Sequence, residues 1–356
     1  MTTTRSATFH IALTADFYDA DGAPRFSDLG LTALDACEEI SYAPFPQHKT
    51  EISPEQLEGA QGVIVLTPEV TRASVSQGQN LLVIGRFGVG YDAVDLDACT
   101  EADVAVLIAA GAVDHSVAEA TVGWMIALTH RFREKDALVR NAQWNLRSGF
   151  HGCELRGRTL GIIGLGGIGR SVLKLLESFG MKKPLAYDPA LNATQARELD
   201  VELVGLDDLL SHSDFVSLHC PLTPQTRGMI GKRELDLMKP NAYLINTARG
   251  GIVDEEALYA ALSTNQLAGA AIDCFSEEPL TTSPRLAELD NVLLAPHCIA
   301  WTTELFREIG QTVAQGLIDL AHGRTPRGVV NPEVFERESF QKKWSRLQIS
   351  AAMSPK

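Results

Sequence analysis

Three polar residues with complementary chemistry sit just past three successive apolar runs in the second half of this chain. Arg249 follows Ala242–Asn246, Glu278 follows Gly269–Ile272, and His297 follows Val292–Leu294. An arginine can grip a carboxylate through paired N–H donors and polarise the neighbouring carbonyl. A histidine can hand a proton to a carbonyl oxygen and take it back. An acid beside that histidine orients the ring and favours the imidazolium. Together they suit the reversible reduction of a 2-oxo acid. Alone, each has an ordinary reading: a surface charge, a Glu-Pro turn, a structural histidine. Placement carries the argument. If the apolar runs are parallel strands of one sheet, all three residues stand outside its carboxyl edge, where such sheets bind ligands.

A hydride donor is implied by a second motif. Gly164-Leu165-Gly166-Gly167-Ile168-Gly169 lies between the apolar run Thr159–Ile163 and an amphipathic segment, Arg170–Phe179. A short strand, Pro184–Tyr187, then delivers Asp188, nineteen residues after the last glycine. That order is half of a dinucleotide-binding fold. Gly164 permits the tight turn, Gly166 lets backbone N–H groups approach a pyrophosphate, and Gly169 lets the helix lie close to the sheet. The helix N-terminus adds partial positive charge. Asp188 can accept from both ribose hydroxyls of NAD and would repel the 2′-phosphate of NADP.

These residues need two domains to hold them, and a chain of 356 residues is long enough for two cores. Short apolar runs recur at Phe9–Leu13, Gly62–Leu66, Leu81–Gly85 and Val104–Ala109, alternating with helix-compatible stretches. Asp16–Asp28 reads as an irregular loop. Ser116-Val117-Ala118-Glu119 reads as a capping box opening a long helix that continues past Leu138 with at most a kink. Such a helix suits a domain joint or a dimer seam. Further strands are expected at Glu202–Val204 and Phe215–His219. Asp254 caps one helix and Pro240 stops another. Thr302–Ala321 reads as the final helix, closed by Gly323 and returning to the first domain. The expected fold is α/β: a Rossmann NAD-binding domain, residues 113–299, inserted into a flavodoxin-like parallel α/β substrate domain made of 1–112 and 300–331. Residues 332–356 form a charged tail carrying Phe335, Phe340 and Trp344, read as partly disordered or packed on a neighbour.

The bulk composition narrows the partners. Net charge is −14 with no long basic run, which argues against nucleic acid or anionic membrane. No apolar run approaches the ~20 residues of a membrane span. The start of the chain shows no apolar leader segment. Six cysteines without a CxxC pair read as buried free thiols in a reducing cytoplasm, and no metal site is expected.

The same residues carry a resemblance. From roughly Leu81 to Asn331 the chain resembles the D-isomer-specific 2-hydroxyacid dehydrogenases, which include D-glycerate, D-lactate and phosphoglycerate dehydrogenases. Arg86-Phe87-Gly88-Val89-Gly90-Tyr91-Asp92 resembles the family's substrate loop, and Ser116–Glu119 its interdomain helix start. His219-Cys220-Pro221-Leu222-Thr223 with Thr226 resembles the segment walling the adenosine. Asn246–Leu258 resembles the Arg-Gly-Gly signature. The resemblance implies substrate binding by Arg249, acid/base catalysis by His297 and support from Glu278. It implies a substrate carboxylate held near Gly88 and Val89. It also implies NAD contacts from Gly167, Ile168, Cys220, Pro221, Thr226, Thr247, Ala248, Arg249, Asp273, His297 and Ala300, and a homodimer.

The chain departs from the family pattern at two places. Ile108-Ala109-Ala110 stands where many relatives have Asn-x-Pro. Cys298-Ile299-Ala300-Trp301 replaces a glycine-rich stretch, so Trp301 either narrows the pocket or meets a neighbouring subunit. The expected function is an NAD-dependent dehydrogenase of a small 2-hydroxy acid; hydroxypyruvate, glyoxylate and phosphohydroxypyruvate are candidate oxo acids. The alternatives are a phosphite or formate dehydrogenase and an NAD-sensing corepressor of the same fold. Formate enzymes typically pair the histidine with glutamine, so Glu278 disfavours that option.

Overall fold

The computed structural model describes residues 9–349. They form two compact units: one running to Val113 and resuming at Thr302, the other spanning Asp114–Trp301.

The first unit is built on β1 (Phe9–Leu13), β2 (Ile40–Pro44), β3 (Gly62–Val65), β4 (Val83–Arg86) and β5 (Ala105–Ile108). They make a five-stranded sheet in the order β2-β1-β3-β4-β5. Every pairing is parallel, with Val65 opposite Arg86 and Arg86 opposite Ile108. A parallel sheet is covered on both faces, which explains the unbroken apolar runs of β3 and β5. β2 was not among the expected strands. Its Ile-Ser-Tyr-Ala-Pro sequence lacks an apolar run because it is an edge strand, half exposed, where proline is tolerated.

Helix Thr303–Ala321 packs on this sheet, opened by the Thr302 side chain accepting from Leu305 N. A methyl group at Gly85 would lie 2.6 Å from Val313 Cγ1, so the glycine sets the close approach. This helix is not the last. A short helical turn, Pro332–Glu336, leads into helix Glu338–Leu347. Phe340 and Trp344, one turn apart, are buried within the same unit, and Trp344 Nε1 donates to Leu320 O at 2.7 Å. The described part of the tail is therefore ordered on its own unit rather than held for a neighbour.

The second unit contains β6 (Leu160–Ile163), β7 (Leu185–Tyr187), β8 (Glu202–Leu203), β9 (Phe215–Leu218), β10 (Tyr243–Asn246), β11 (Gly269–Ile272) and β12 (Val292–Leu294). The order is β12-β11-β10-β9-β6-β7-β8, all parallel. Strand order reverses between β6 and β9, which places a crevice at their carboxyl ends. Two clusters of buried residues, one around Leu244 and Val216 and one around Ile162 and Phe215, fill the faces of this sheet.

Helix Asp114–His130 packs against β10, β11 and β12 and against the helix that follows the glycine turn. It starts two residues before the expected Ser116 cap. Ser116 and Glu119 lie inside it, so the Ser-x-x-Glu spacing imitates a start one half-turn late. The expected kink is a break. Arg131 takes a left-handed conformation, φ 57°, and a separate helix, Phe132–Arg140, begins. Asp254 caps helix Glu255–Ser263 as expected, accepting from Glu256 N and Ala257 N. Among the described residues, no helix is long and apolar enough to cross a membrane.

Candidate active site

The glycine turn shows why each glycine is needed. Gly164 has φ +92°, and a Cβ there would meet Cys220 N at 2.8 Å. At Gly169 a Cβ would lie 2.4 Å from Gly164 O, closing the turn against the first coil of helix Gly167–Leu176. At Gly166 nothing lies within 4 Å, leaving open space over the helix N-terminus. Asp188, at the end of β7, folds across this turn. Its Oδ2 accepts from Leu165 N at 2.8 Å and its Oδ1 from Ala190 N at 2.9 Å. Each oxygen keeps a lone pair for a ribose hydroxyl.

The loop after β9 closes the other side. Thr226 Oγ1 donates to Pro221 O at 2.7 Å and accepts from Thr223 N at 2.8 Å, holding Cys220 and Pro221 beside the turn. Burial pushes the Cys220 thiol up to about 11. His219 Nε2 meets Ser217 Oγ at 2.8 Å, while its Nδ1 is buried without a hydrogen-bond partner. Burial pulls this histidine down to about 4, so it is neutral at pH 7.

These features fit a dinucleotide: an open cradle, a helix N-terminus for phosphate, a pinned carboxylate for ribose and an orphaned nitrogen beside the turn. One residue escaped the sequence reading. The Asp114 carboxylate lies over Gly167, where a Cβ would come within 1.8 Å of its Oδ2. Burial raises its pKa above the ordinary carboxylate value.

The carboxyl ends of β10, β11 and β12 gather the three polar residues first singled out. The loop after β10 is fixed by Asn246, whose Nδ2 donates to Arg249 O at 2.9 Å and whose Oδ1 accepts from Ala248 N at 3.0 Å. Thr247 Oγ1 meets Thr121 Oγ1 of the long helix at 3.2 Å. Arg249 Nη1 donates to Ala248 O at 2.7 Å. Gly250 is pressed on the loop after β11, where a Cβ would be 1.8 Å from Phe275 O.

Asp273 ties β11 to β12. Its backbone N donates to Asn246 O at 3.0 Å, and its backbone oxygen accepts from His297 N at 2.7 Å. Its Oδ1 accepts from Cys298 N at 2.9 Å and Ile299 N at 3.1 Å. Burial raises the Asp273 pKa, against those two hydrogen bonds and the charge of His297.

His297 adopts φ +54°, an uncommon conformation for a residue with a side chain. Its Nδ1 lies 2.7 Å from Glu278 Oε2, and Glu278 Oε1 accepts from Phe275 N at 2.8 Å. Burial pushes the Glu278 carboxyl up, but the His297 and Phe275 hydrogen bonds and the positive charges of His297 and Arg249 outweigh it. The net pKa is lowered, which favours the carboxylate form of Glu278. With Nδ1 engaged, Nε2 is the nitrogen available for proton exchange. Ala300 is buried just beyond, whereas Trp301 is 56% exposed.

In the other unit, Gly88 (φ +146°) and Val89 follow β4 at the carboxyl edge of its sheet. Gly88 O accepts from Ala109 N at 2.9 Å, and Arg86 Nη1 braces the loop by donating to Phe87 O at 2.7 Å.

Residues 122–298 match the family described as D-isomer specific 2-hydroxyacid dehydrogenase, NAD binding domain. The chain is 38% identical over 279 residues to glyoxylate reductase of Thermococcus litoralis, covering 77% of this chain and 84% of that protein.

The chain belongs to the D-isomer-specific 2-hydroxyacid dehydrogenase family.

It is also 40% identical over 290 residues to D-3-phosphoglycerate dehydrogenase of Methanocaldococcus jannaschii, covering 81% of this chain and 55% of that one. The chain thus spans only about half the length of that relative. A glyoxylate reductase structure from Paecilomyes thermophila superposes with a TM-score of 0.78 at 27% identity, covering 91% of this chain and 99% of that one. The family match makes the second unit an NAD-binding domain.

Proposed function

We propose that this protein is an NAD-dependent reductase of a small 2-oxo acid, working reversibly on the corresponding D-2-hydroxy acid. The observation that carries the reading is the His297–Glu278 pair, 2.7 Å apart, on loops neighbouring that of Arg249. NAD would be held by the Gly164–Gly169 turn, Asp188 and the Cys220–Thr226 loop, with Thr247, Ala248, Asp273 and Ala300 along the nicotinamide side. Bound there, the nicotinamide supplies or accepts the hydride at the substrate's C2.

The protein's own residues do the rest. Arg249 pairs with the substrate carboxylate and polarises the ketone, lowering the cost of charge developing on oxygen. His297 gives that oxygen a proton from Nε2 during reduction and removes it during oxidation. Glu278 holds the ring through Nδ1 and stabilises the charged imidazole. The first unit is assigned as the substrate domain, with Val89 offering its backbone N–H to a carboxylate, since the Gly88 N–H donates to Arg86 O at 2.8 Å. Glyoxylate and hydroxypyruvate are preferred substrates on similarity to the glyoxylate reductases, with phosphohydroxypyruvate next.

The proposed assembly is a homodimer. Phe132, Val139, Trp144 and Leu146 are exposed apolar side chains clustered along the segment that follows the long helix, and a second copy would cover them. Six free cysteines support residence in a reducing cytoplasm.

The test is NADH oxidation against a panel of 2-oxo acids with Arg249→Ala as comparison. The expected result is turnover of at least one small oxo acid, with Arg249→Ala raising KM and lowering kcat. Wild-type kinetics in Arg249→Ala would remove it from the site.

A further inference from the structure

Cys274 is a buried thiol that the proposed hydride transfer does not use. It lies two residues beyond β11, and His297 lies three beyond β12, while Ile272 and Leu294 are paired opposite each other. That register brings the thiol to the acid/base pair. One donor atom from each of Cys274, Glu278 and His297 lies within 4.8 Å of the other two.

We propose that Cys274, Glu278 and His297 form an inhibitory binding site for a zinc-like divalent cation. Thiolate sulfur, imidazole nitrogen and carboxylate oxygen are the donors that zinc prefers. Three protein ligands with a fourth position open make a usual zinc arrangement. Zinc's ligand distances put neighbouring donors about 3–4 Å apart, so separations near the 4.8 Å limit close by about 1 Å while the 2.7 Å contact of His297 Nδ1 with Glu278 opens slightly.

The path to the site runs along its open side. The His297 and Glu278 side chains are 45% and 34% exposed, while Cys274 closes the floor. The thiol is held there by donating to Ala248 O at 3.4 Å, the same carbonyl that Arg249 engages. Binding releases the S–H proton, and the imidazole binds in its neutral form with its one proton on the nitrogen that does not meet the cation. No oxidation state changes. The Asp273 carboxyl, adjacent in the chain and hydrogen-bonded to Cys298 N and Ile299 N, adds negative charge that offsets Arg249. The functional consequence, which rests on the reading above, is that the cation takes the nitrogen pair and carboxylate needed for proton transfer. Inhibition is then reversible by a chelator.

The test uses metal-stripped full-length protein titrated with Co2+, whose thiolate complexes absorb in the near ultraviolet. The expected result is a saturable thiolate–cobalt band at one ion per chain, discharged by Zn2+. Cys274→Val should abolish the band and weaken Zn2+ binding at least about tenfold, and Glu278→Gln should weaken it too. Melting temperatures check that the variants fold; if Cys274→Val does not, Cys274→Ser removes the sulfur at nearly constant size. A band of unchanged affinity in the cysteine variant, or no band in the wild type, overturns the proposal. The band is read without turnover, so a protein inactive on every oxo acid would still report metal binding. If turnover is present, Zn2+ inhibition should move at least about tenfold in the same variant.

Discussion

Replacing Asp188 by alanine tests the cofactor site where the structure is most explicit. Leu165 N and Ala190 N each occupy one carboxylate oxygen of Asp188, leaving one lone pair per oxygen for the two hydroxyls of a bound ribose. A hydrogen bond to a charged group contributes about 1.5–3 kcal/mol, and partial exposure puts each of these at or below the low end. Losing both, with water compensating in part, costs about 2–3 kcal/mol, or roughly 30- to 150-fold in NADH affinity. The substitution also frees two backbone N–H groups and loosens the glycine turn. That loosening weakens NADH and NADPH alike, so the informative quantity is the ratio of their dissociation constants. NADPH has no 2′-hydroxyl to lose and is relieved of repulsion between Asp188 and its 2′-phosphate. NADPH still loses its 3′-hydroxyl bond, so the preference for NADH should fall by roughly tenfold or more, measured by fluorescence titration of both nucleotides. An equal fall for the two would mean that Asp188 only braces the turn.

Three further outcomes are expected. His297→Asn should lower kcat by about 10²–10⁴-fold while NADH binding stays within about twofold; retained turnover would point to another proton donor. Glu278 has a lowered folded pKa, so its contribution to stability is present above the unfolded value of about 4.3 and is lost as pH falls through the lower folded value. Thermal melts of Glu278→Gln from pH 6 down to pH 3 should lack that acid-side loss, and a curve parallel to wild type would refute the assignment. Phe340→Ala, at a fully buried site, should destabilise the first unit by about 3–5 kcal/mol in denaturant melts; a change under about 1 kcal/mol would mean that helix Glu338–Leu347 is dispensable to that unit.

Much of the sheet architecture is legible because buried parallel strands are written as apolar runs. β1, β11 and β12 match their expected limits residue for residue, and the glycine turn with Asp188 declares the second unit's switch point. The misses have definite causes. β2 is an edge strand and needs no apolar run. Glu338–Leu347 buries Phe340 and Trp344 along one stripe, but its three basic residues and one acidic residue make it read as a solvated tail. Ser116 and Glu119 copy the spacing of a cap without occupying its place. At the site, residue types and strand ends reveal Arg249, Glu278 and His297. The backbone of His297, the pressing of Gly250 on Phe275 and the approach of Cys274 depend on strand register and loop closure, which no local pattern records.

The discontinuity of the first unit sets a timetable for synthesis. Val106 N, on β5, donates to the Asn331 side chain 225 residues downstream, and Asn331 also reaches Thr100 and Val104. Helix Thr303–Ala321, which covers the same sheet, comes equally late. At about 5–20 residues per second, roughly 10–45 s separate translation of β5 from translation of its closing partner. Over that interval the inserted unit emerges whole and can fold alone, while the earlier sheet waits with apolar surface uncovered. The nascent chain therefore matures from the middle outwards. Chaperone demand should fall on the first hundred residues rather than on the nucleotide-binding core.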